Sequence, residues 1–272
     1  MSFFGCSNNI PTLNDRMNTA STLAEKSNLK EHIYQLNKFN LFTYQTSLDG
    51  CETLKVYIEG DGLAWVTRSR ISSDPTPLNP LSLKLMILDK SICKLYIARP
   101  CQYASSNSCN KKYWTSHRFS QDIISDYDQL FSEVKAKYNI VKFEVVGYSG
   151  GAAISSLIAN KRSDVKSLIT VAGNLNTTLW TDIKNLTPLS GSLNPADYTN
   201  NLKNVKQFHL IGKDDTVIPK EILYSYINKF ENKSNIFYKV FDATHSKNWE
   251  ISYKEFLDLK QGKVSLPEFL FA

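Results

Sequence analysis

The sequence has no apolar run near the roughly 18 residues that a membrane-spanning helix needs, and its mean hydropathy is −0.30. It has no Cys-x-x-Cys pair and no cluster at zinc-ligand spacing. Its four histidines are scattered along 272 residues, so no metal centre is expected. There is no internal repeat, and the 11 glycines and 9 prolines follow no period, which excludes collagen-like and low-complexity architectures. Lys and Arg number 32 against 26 Asp and Glu, a net charge of +6, yet the longest basic strings are pairs such as Lys111-Lys112 and Lys161-Arg162. Charge spread this thinly is no nucleic-acid footprint, and no nucleic-acid partner is expected. No nucleotide fingerprint follows any expected strand, and no cofactor is expected.

What is present suits an ordinary globular protein. Hydrophobic residues make up 42% and charged residues 21%, enough apolar surface to offset the entropy of ordering. Residues 1–28 read as a polar N-terminal segment, a loop plus a weak helix, and residues 29–272 as a single domain. Within it, short apolar strands alternate with helical patterns. Strands are expected at Leu41–Thr46, Leu54–Glu59, Lys94–Ala98, Lys142–Val146, Val165–Val171, Val205–Ile211 and Ile236–Phe241. Helices are expected at Leu81–Leu88, Phe119–Tyr138, Ala152–Lys161, Pro219–Phe230 and Trp249–Leu259, with Pro219 in the first turn of its helix. This rhythm implies an α/β fold with a mostly parallel central sheet and helices on both faces. Residues 174–204, an insertion after the sixth strand, break the rhythm and are a candidate lid or substrate wall.

Five cysteines occur, all within the first 110 residues: Cys6, Cys51, Cys93, Cys101 and Cys109. A short polar Ser/Asn loop between Cys101 and Cys109 can be closed by one disulfide, which implies an oxidising compartment. Cys51 and Cys93 form a weaker candidate pair. Reduced thiols in a cytosolic protein are the alternative. The start, Phe3-Phe4-Gly5-Cys6-Ser7-Asn8, resembles the end of a bacterial lipoprotein signal, with Cys6 as the lipid-bearing residue. Membrane attachment through Cys6 and a location in the cell envelope or periplasm are therefore expectations, with the cytoplasm as alternative.

The chemistry is concentrated in Gly147-Tyr148-Ser149-Gly150-Gly151. This G-x-S-x-G pattern lies between a β-branched strand and a small-residue helix. The residues two before and two after the serine must be tiny so that strand and helix can pack closely. The hydroxyl then projects at the carboxyl edge of the sheet, beside a helix N-terminus that favours negative charge. A serine hydroxyl needs a base. His32 and His117 precede the serine, and His209 falls inside a strand. His245, in the turn after the last strand, stands where the base belongs in the chain order Ser, acid, His. The acid should follow the penultimate strand, where Asp214 and Asp215 lie before Pro219, and the spacing favours Asp215. The oxyanion donors are expected to be the backbone N–H groups of Gly150 and Asp61, with Gly62 as alternative to Asp61. A carboxylate there would repel the oxyanion unless it points away or is paired with Arg68, Arg70 or Arg99.

These stretches resemble the α/β-hydrolase superfamily. More narrowly, they are similar to a group of bacterial α/β hydrolases, many of them predicted lipoproteins. The resemblance runs over about residues 39–260. It is carried by Tyr57–Trp65, Asp74–Pro80, Ala98–Gln102, Tyr113-Trp114, Gly147–Gly151 and Val171–Asn174. It implies the α/β-hydrolase fold, a serine triad and export as a lipoprotein. Where the family has His-Gly at the oxyanion loop, this chain has Glu59-Gly60. The expected activity is cleavage of a carboxylic ester or thioester, a small acyl substrate, through an acyl-enzyme. A peptidase, an acyltransferase or a non-catalytic binding protein would use the same parts. Leu179 and Trp180 in the insertion, and Trp65 in segment 63–80, are the expected substrate walls.

Overall fold

The computed structural model describes residues 10–260 and 270–271. Cys6 therefore lies outside the described residues. Among the described residues, nine strands form one sheet: β1 (Lys30–Gln35), β2 (Asn40–Gln45), β3 (Thr53–Ile58), β4 (Lys94–Ile97), β5 (Lys142–Tyr148), β6 (Val165–Val171), β7 (Lys206–Gly212), β8 (Ile236–Phe241) and β9 (Leu270–Phe271). Their order is β1-β2-β4-β3-β5-β6-β7-β8-β9. The run from β4 to β8 is parallel. The β1–β2, β2–β4 and β8–β9 pairs at the two edges are antiparallel.

Each parallel strand is apolar on both faces, because helices cover both. Val56, Val145 and Leu168 point to one layer, which holds α3 (Gln121–Tyr138), α4 (Gly150–Lys161) and α6 (Lys220–Ile227). Their immediate neighbours Tyr57, Val146 and Ile169 point to the other, which holds α1 (Leu13–Lys26), α2 (Leu81–Leu88) and α7 (Trp249–Lys260). The period-two alternation of side chains along a strand divides the core into these two layers.

Four local features refine or depart from expectation. The polar start contains a helix of 14 residues, α1, closed by a capping box between Thr12 and Asp15. Ala20 and Ala24 seat it against the second core layer, and Arg16 reaches the backbone carbonyl of Thr76. The strand β1 has only Tyr34 buried, so its sequence shows no apolar alternation to read. It pairs with β2 at the sheet edge through the backbone ladder, with Thr43 Oγ1 donating to the His32 carbonyl at 2.8 Å. Pro219 is the N-cap of α6, with extended backbone, and not a first-turn residue. The insertion 174–204 carries one short helix, α5 (Thr177–Ile183), and two 3-10 turns at Pro195–Asp197 and Asn200–Asn204, anchored by buried Ala196 and Leu202.

Both candidate cysteine pairs are joined. Cys51–Cys93 ties the chain entering β3 to the chain entering β4, and Cys101–Cys109 closes the loop that follows β4. Their sequence separations are 42 and 8 residues. By loop-closure entropy, losing the first should cost about 4 kcal/mol and losing the second about 2.5 kcal/mol. Urea unfolding of the Cys51→Ser/Cys93→Ser and Cys101→Ser/Cys109→Ser variants should show the larger drop in midpoint for the first.

Candidate active site

The site begins with a steric requirement. Between β5 and α4 the chain reverses in one residue, and Ser149 takes φ 52° and ψ −116°. That conformation costs a non-glycine residue about 1–3 kcal/mol. The turn closes only because its neighbours lack side chains. A Cβ on Gly147 would stand 2.5 Å from Ala152 Cα, and one on Gly151 would stand 2.3 Å from the carbonyl oxygen of Ile58. The glycines thus seat the start of α4 directly on the ends of β5 and β3.

The carboxyl ends of β7 and β8 bring the other groups to Ser149. His245 follows β8, and its Nε2 lies 3.1 Å from Ser149 Oγ. Its Nδ1 lies 2.8 Å from Asp215 Oδ2. The Asp215 side chain is fully buried. Its other oxygen accepts from the N–H groups of Val217 and Ile218, both at 2.8 Å, which fixes the carboxylate in the loop after β7. Asp215 thus caps its own loop as well as meeting the histidine. Asp214 faces solvent, with its N–H donated to the Ala243 carbonyl. This geometry fixes the imidazole as an Nδ1–H donor to Asp215, leaving Nε2 to accept the serine proton.

Two residues that hold His245 were not found by sequence reasoning. Tyr148 Oη and Trp249 Nε1 both donate to the His245 carbonyl, each at 2.9 Å, and the Tyr148 ring lies against the imidazole with centroids 5.3 Å apart. Tyr148 occupies the variable position of G-x-S-x-G, so the motif carries no signal for it. The remaining histidines lie elsewhere. His32 is on β1. His117 Nδ1 is paired with Ser116 Oγ. His209 is buried beside Thr170 Oγ1 at 2.7 Å, and burial pushes its pKa down to about 3.

Gly150 and Asp61 face one another across the serine turn: a Cβ on Gly150 would lie 2.3 Å from Asp61 Oδ1. Among the described residues, neither of their backbone N–H groups donates to a protein acceptor. The Asp61 carboxylate is paired, as its position requires, but not with Arg68 or Arg70. Arg99 Nη1 meets one oxygen and Arg118 Nη1 the other, both at 2.8 Å. Arg118, 57 residues away in sequence, had no local signature. Burial drives the Asp61 carboxyl up, but Arg118 and then Arg99 outweigh it and hold it below the ordinary carboxylate range. Glu59 anchors the same loop from beneath. It accepts from Gly60 N–H at 2.8 Å, from Ser82 N–H at 3.4 Å and from Tyr96 Oη at 3.2 Å. Burial raises its pKa to about 7.

Above Ser149 lies a cavity of about 1200 Å³. One wall carries Trp65, Ile71 and Leu78, and the insertion contributes Trp180, Ile183 and Leu186. Leu179, the other expected wall residue, is not part of the lining. Asn174 is buried at the edge of the cavity, and its N–H donates to the Ser149 carbonyl.

The family described as serine hydrolase (FSH1) matches residues 89–246, more than half of the chain. No functionally curated protein matches the sequence. The fold is similar to the esterase Pf2001 of Pyrococcus furiosus, with 15% identity, a TM-score of 0.62, and coverage of 88% of this chain and 93% of that one. It is also similar to an α/β serine hydrolase homologue from Coxiella burnetii, with 16% identity, a TM-score of 0.57, and coverage of 85% and 96%. The architecture is the α/β-hydrolase fold.

Two outcomes follow for stability. Burial raises the Glu59 pKa from its ordinary 4.5 to about 7. Its contribution is therefore complete below pH 4.5 and is lost as pH rises to 7, a decline of about 3 kcal/mol. Glu59→Gln should flatten that decline when unfolding free energies are compared at pH 5 and pH 8. Ser149→Gly should raise the unfolding free energy by about 1 kcal/mol or more while removing the hydroxyl, since glycine tolerates the positive φ. Calorimetry beside Ser149→Ala separates the backbone effect from loss of the side chain.

Proposed function

The chain belongs to the FSH1 serine hydrolase family, and from that premise we propose that it cleaves a carboxylic ester or thioester through an acyl-enzyme on Ser149. The observation that carries this reading is the continuous hydrogen-bonded line Ser149–His245–Asp215, opening into a large cavity with apolar walls. Ser149 Oγ attacks the substrate carbonyl as His245 Nε2 takes its proton. His245 returns that proton to the leaving alcohol or thiol. Asp215 keeps the imidazole in the Nδ1–H tautomer and stabilises the imidazolium that forms. A water, deprotonated by the same Nε2, then releases the acid.

The developing oxyanion is received by the backbone N–H groups of Gly150 and Asp61. Gly150 is the first residue of α4, so the unpaired amides and dipole of that helix act in the same direction. The indole and aliphatic side chains of the walls suit an apolar acyl group. Two disulfides favour an oxidising compartment, and we assign the protein to the cell envelope on that ground.

Labelling with a fluorophosphonate probe tests the reading. The wild type should label on one serine, and Ser149→Ala should not label. His245→Ala and Asp215→Asn should lower kcat on p-nitrophenyl acyl esters by about 10⁴-fold. Activity should rise with acyl length until the cavity is filled. A folded wild type that takes no probe and turns over no ester in the panel would refute the assignment.

A further inference from the structure

Asp61 is an unexpected residue beside an oxyanion. Its carboxylate fills the space over Gly150, where a side chain on residue 150 would otherwise lie. An unpaired negative charge there would oppose the charge that develops on the substrate oxygen. The structure surrounds it with two guanidinium groups. Arg99 and Arg118 each donate to one carboxylate oxygen at 2.8 Å. Both arginines are held in turn. Arg99 Nη2 donates to the Arg118 carbonyl, and Arg118 Nε donates to the Thr115 carbonyl at 2.8 Å. The Arg99 guanidinium lies over the Phe119 ring at 5.2 Å, and that of Arg118 over Trp180 of the insertion at 5.8 Å. Two cations facing one anion leave a net charge of +1 at the N-terminus of α4. The aromatic faces and the burial of both arginines keep that charge poorly screened by water.

We propose that Arg99 and Arg118 are positioning residues of the reaction. They fix the Asp61 carboxylate away from the oxyanion, aim the residue 61 N–H at it, and convert a repulsive site into one with net positive charge. The proposal rests on the acyl-enzyme reading above, and goes beyond it by giving the arginine pair an electrostatic function instead of a purely structural one. It makes the carboxylate itself the source of harm once an arginine is removed.

The experiment is a double-mutant cycle on kcat and KM for a p-nitrophenyl ester, with the rate of Ser149 phosphonylation as second readout. Arg118→Met should lower kcat by about 100-fold, the size of a lost oxyanion-stabilising group, and leave KM within about threefold. Arg118→Lys, which keeps the charge, should lose no more than about tenfold. Arg118→Met/Asp61→Asn should recover at least about tenfold over Arg118→Met, because the repelling charge is gone. If the double variant is as poor as Arg118→Met or poorer, the clamp is structural and the proposal is overturned. Circular dichroism confirms folding, and should Arg118→Met not fold, the comparison is read on Arg118→Gln with and without Asp61→Asn. An active wild type without rescue overturns the clamp alone. A wild type inactive in both readouts overturns the acyl-enzyme reading and the clamp with it.

Discussion

The contact on which the site depends is the seating of α4 against the ends of β3 and β5. It is possible because Gly147 and Gly151 present no side chain at distances that would place a Cβ within 2.5 Å of backbone atoms. Interiors pack as densely as crystals, so such a contact admits no compromise. With α4 seated, Ser149 is forced into a positive φ. Its hydroxyl then stands at the carboxyl edge, where the loops after β3, β7 and β8 converge. The backbone strain is tolerated because both flanking elements are buried in the first core layer.

Electrostatics at that edge are arranged in opposing pairs. The amide end of α4 favours negative charge, yet the loop after β3 brings two carboxyl groups to its neighbourhood, Glu59 and Asp61. Glu59 is buried, and desolvation disfavours its charged form and raises its pKa to about 7. Asp61 is ionised because two arginines hold it so. Desolvation governs the first and ion pairing the second. The two carboxyl groups stand two residues apart, and these different routes shift their pKa values in opposite directions.

The periphery holds the edge in place. Cys51–Cys93 fixes the entries to β3 and β4. Cys101–Cys109 constrains the loop that begins just after Arg99. The helix α1 reaches across to the Thr76 carbonyl through Arg16, steadying segment 63–80, which forms one wall of the cavity. The opposite wall is pinned where Trp180 Nε1 donates to the Val217 carbonyl at 2.9 Å, close to the loop that carries Asp215. Wall and acid loop are thereby joined.

Much of this was legible in the chain. Strands such as Val165–Val171 and Ile236–Phe241 match their expected limits, because continuous β-branched and aromatic runs between helical patterns leave little alternative. Strand β1 was missed because all its side chains but Tyr34 are exposed and its pairing is mainly a backbone ladder, which leaves no trace in composition. The meeting of Ser149, Asp215 and His245 was legible because each sits at a strand end whose position the local pattern defines, in a chain with few histidines. Sequence alone therefore determined the fold class, the strand-turn-helix at Ser149 and the order in which Asp215 and His245 follow it, since these depend on neighbours within a few residues. Only the tertiary structure decided that Arg118 joins Arg99 on Asp61, that Tyr148 holds His245, and which insertion residues face the cavity. Those contacts join residues up to 97 positions apart, and no local spacing encodes which side chains will meet once the sheet has closed the distance.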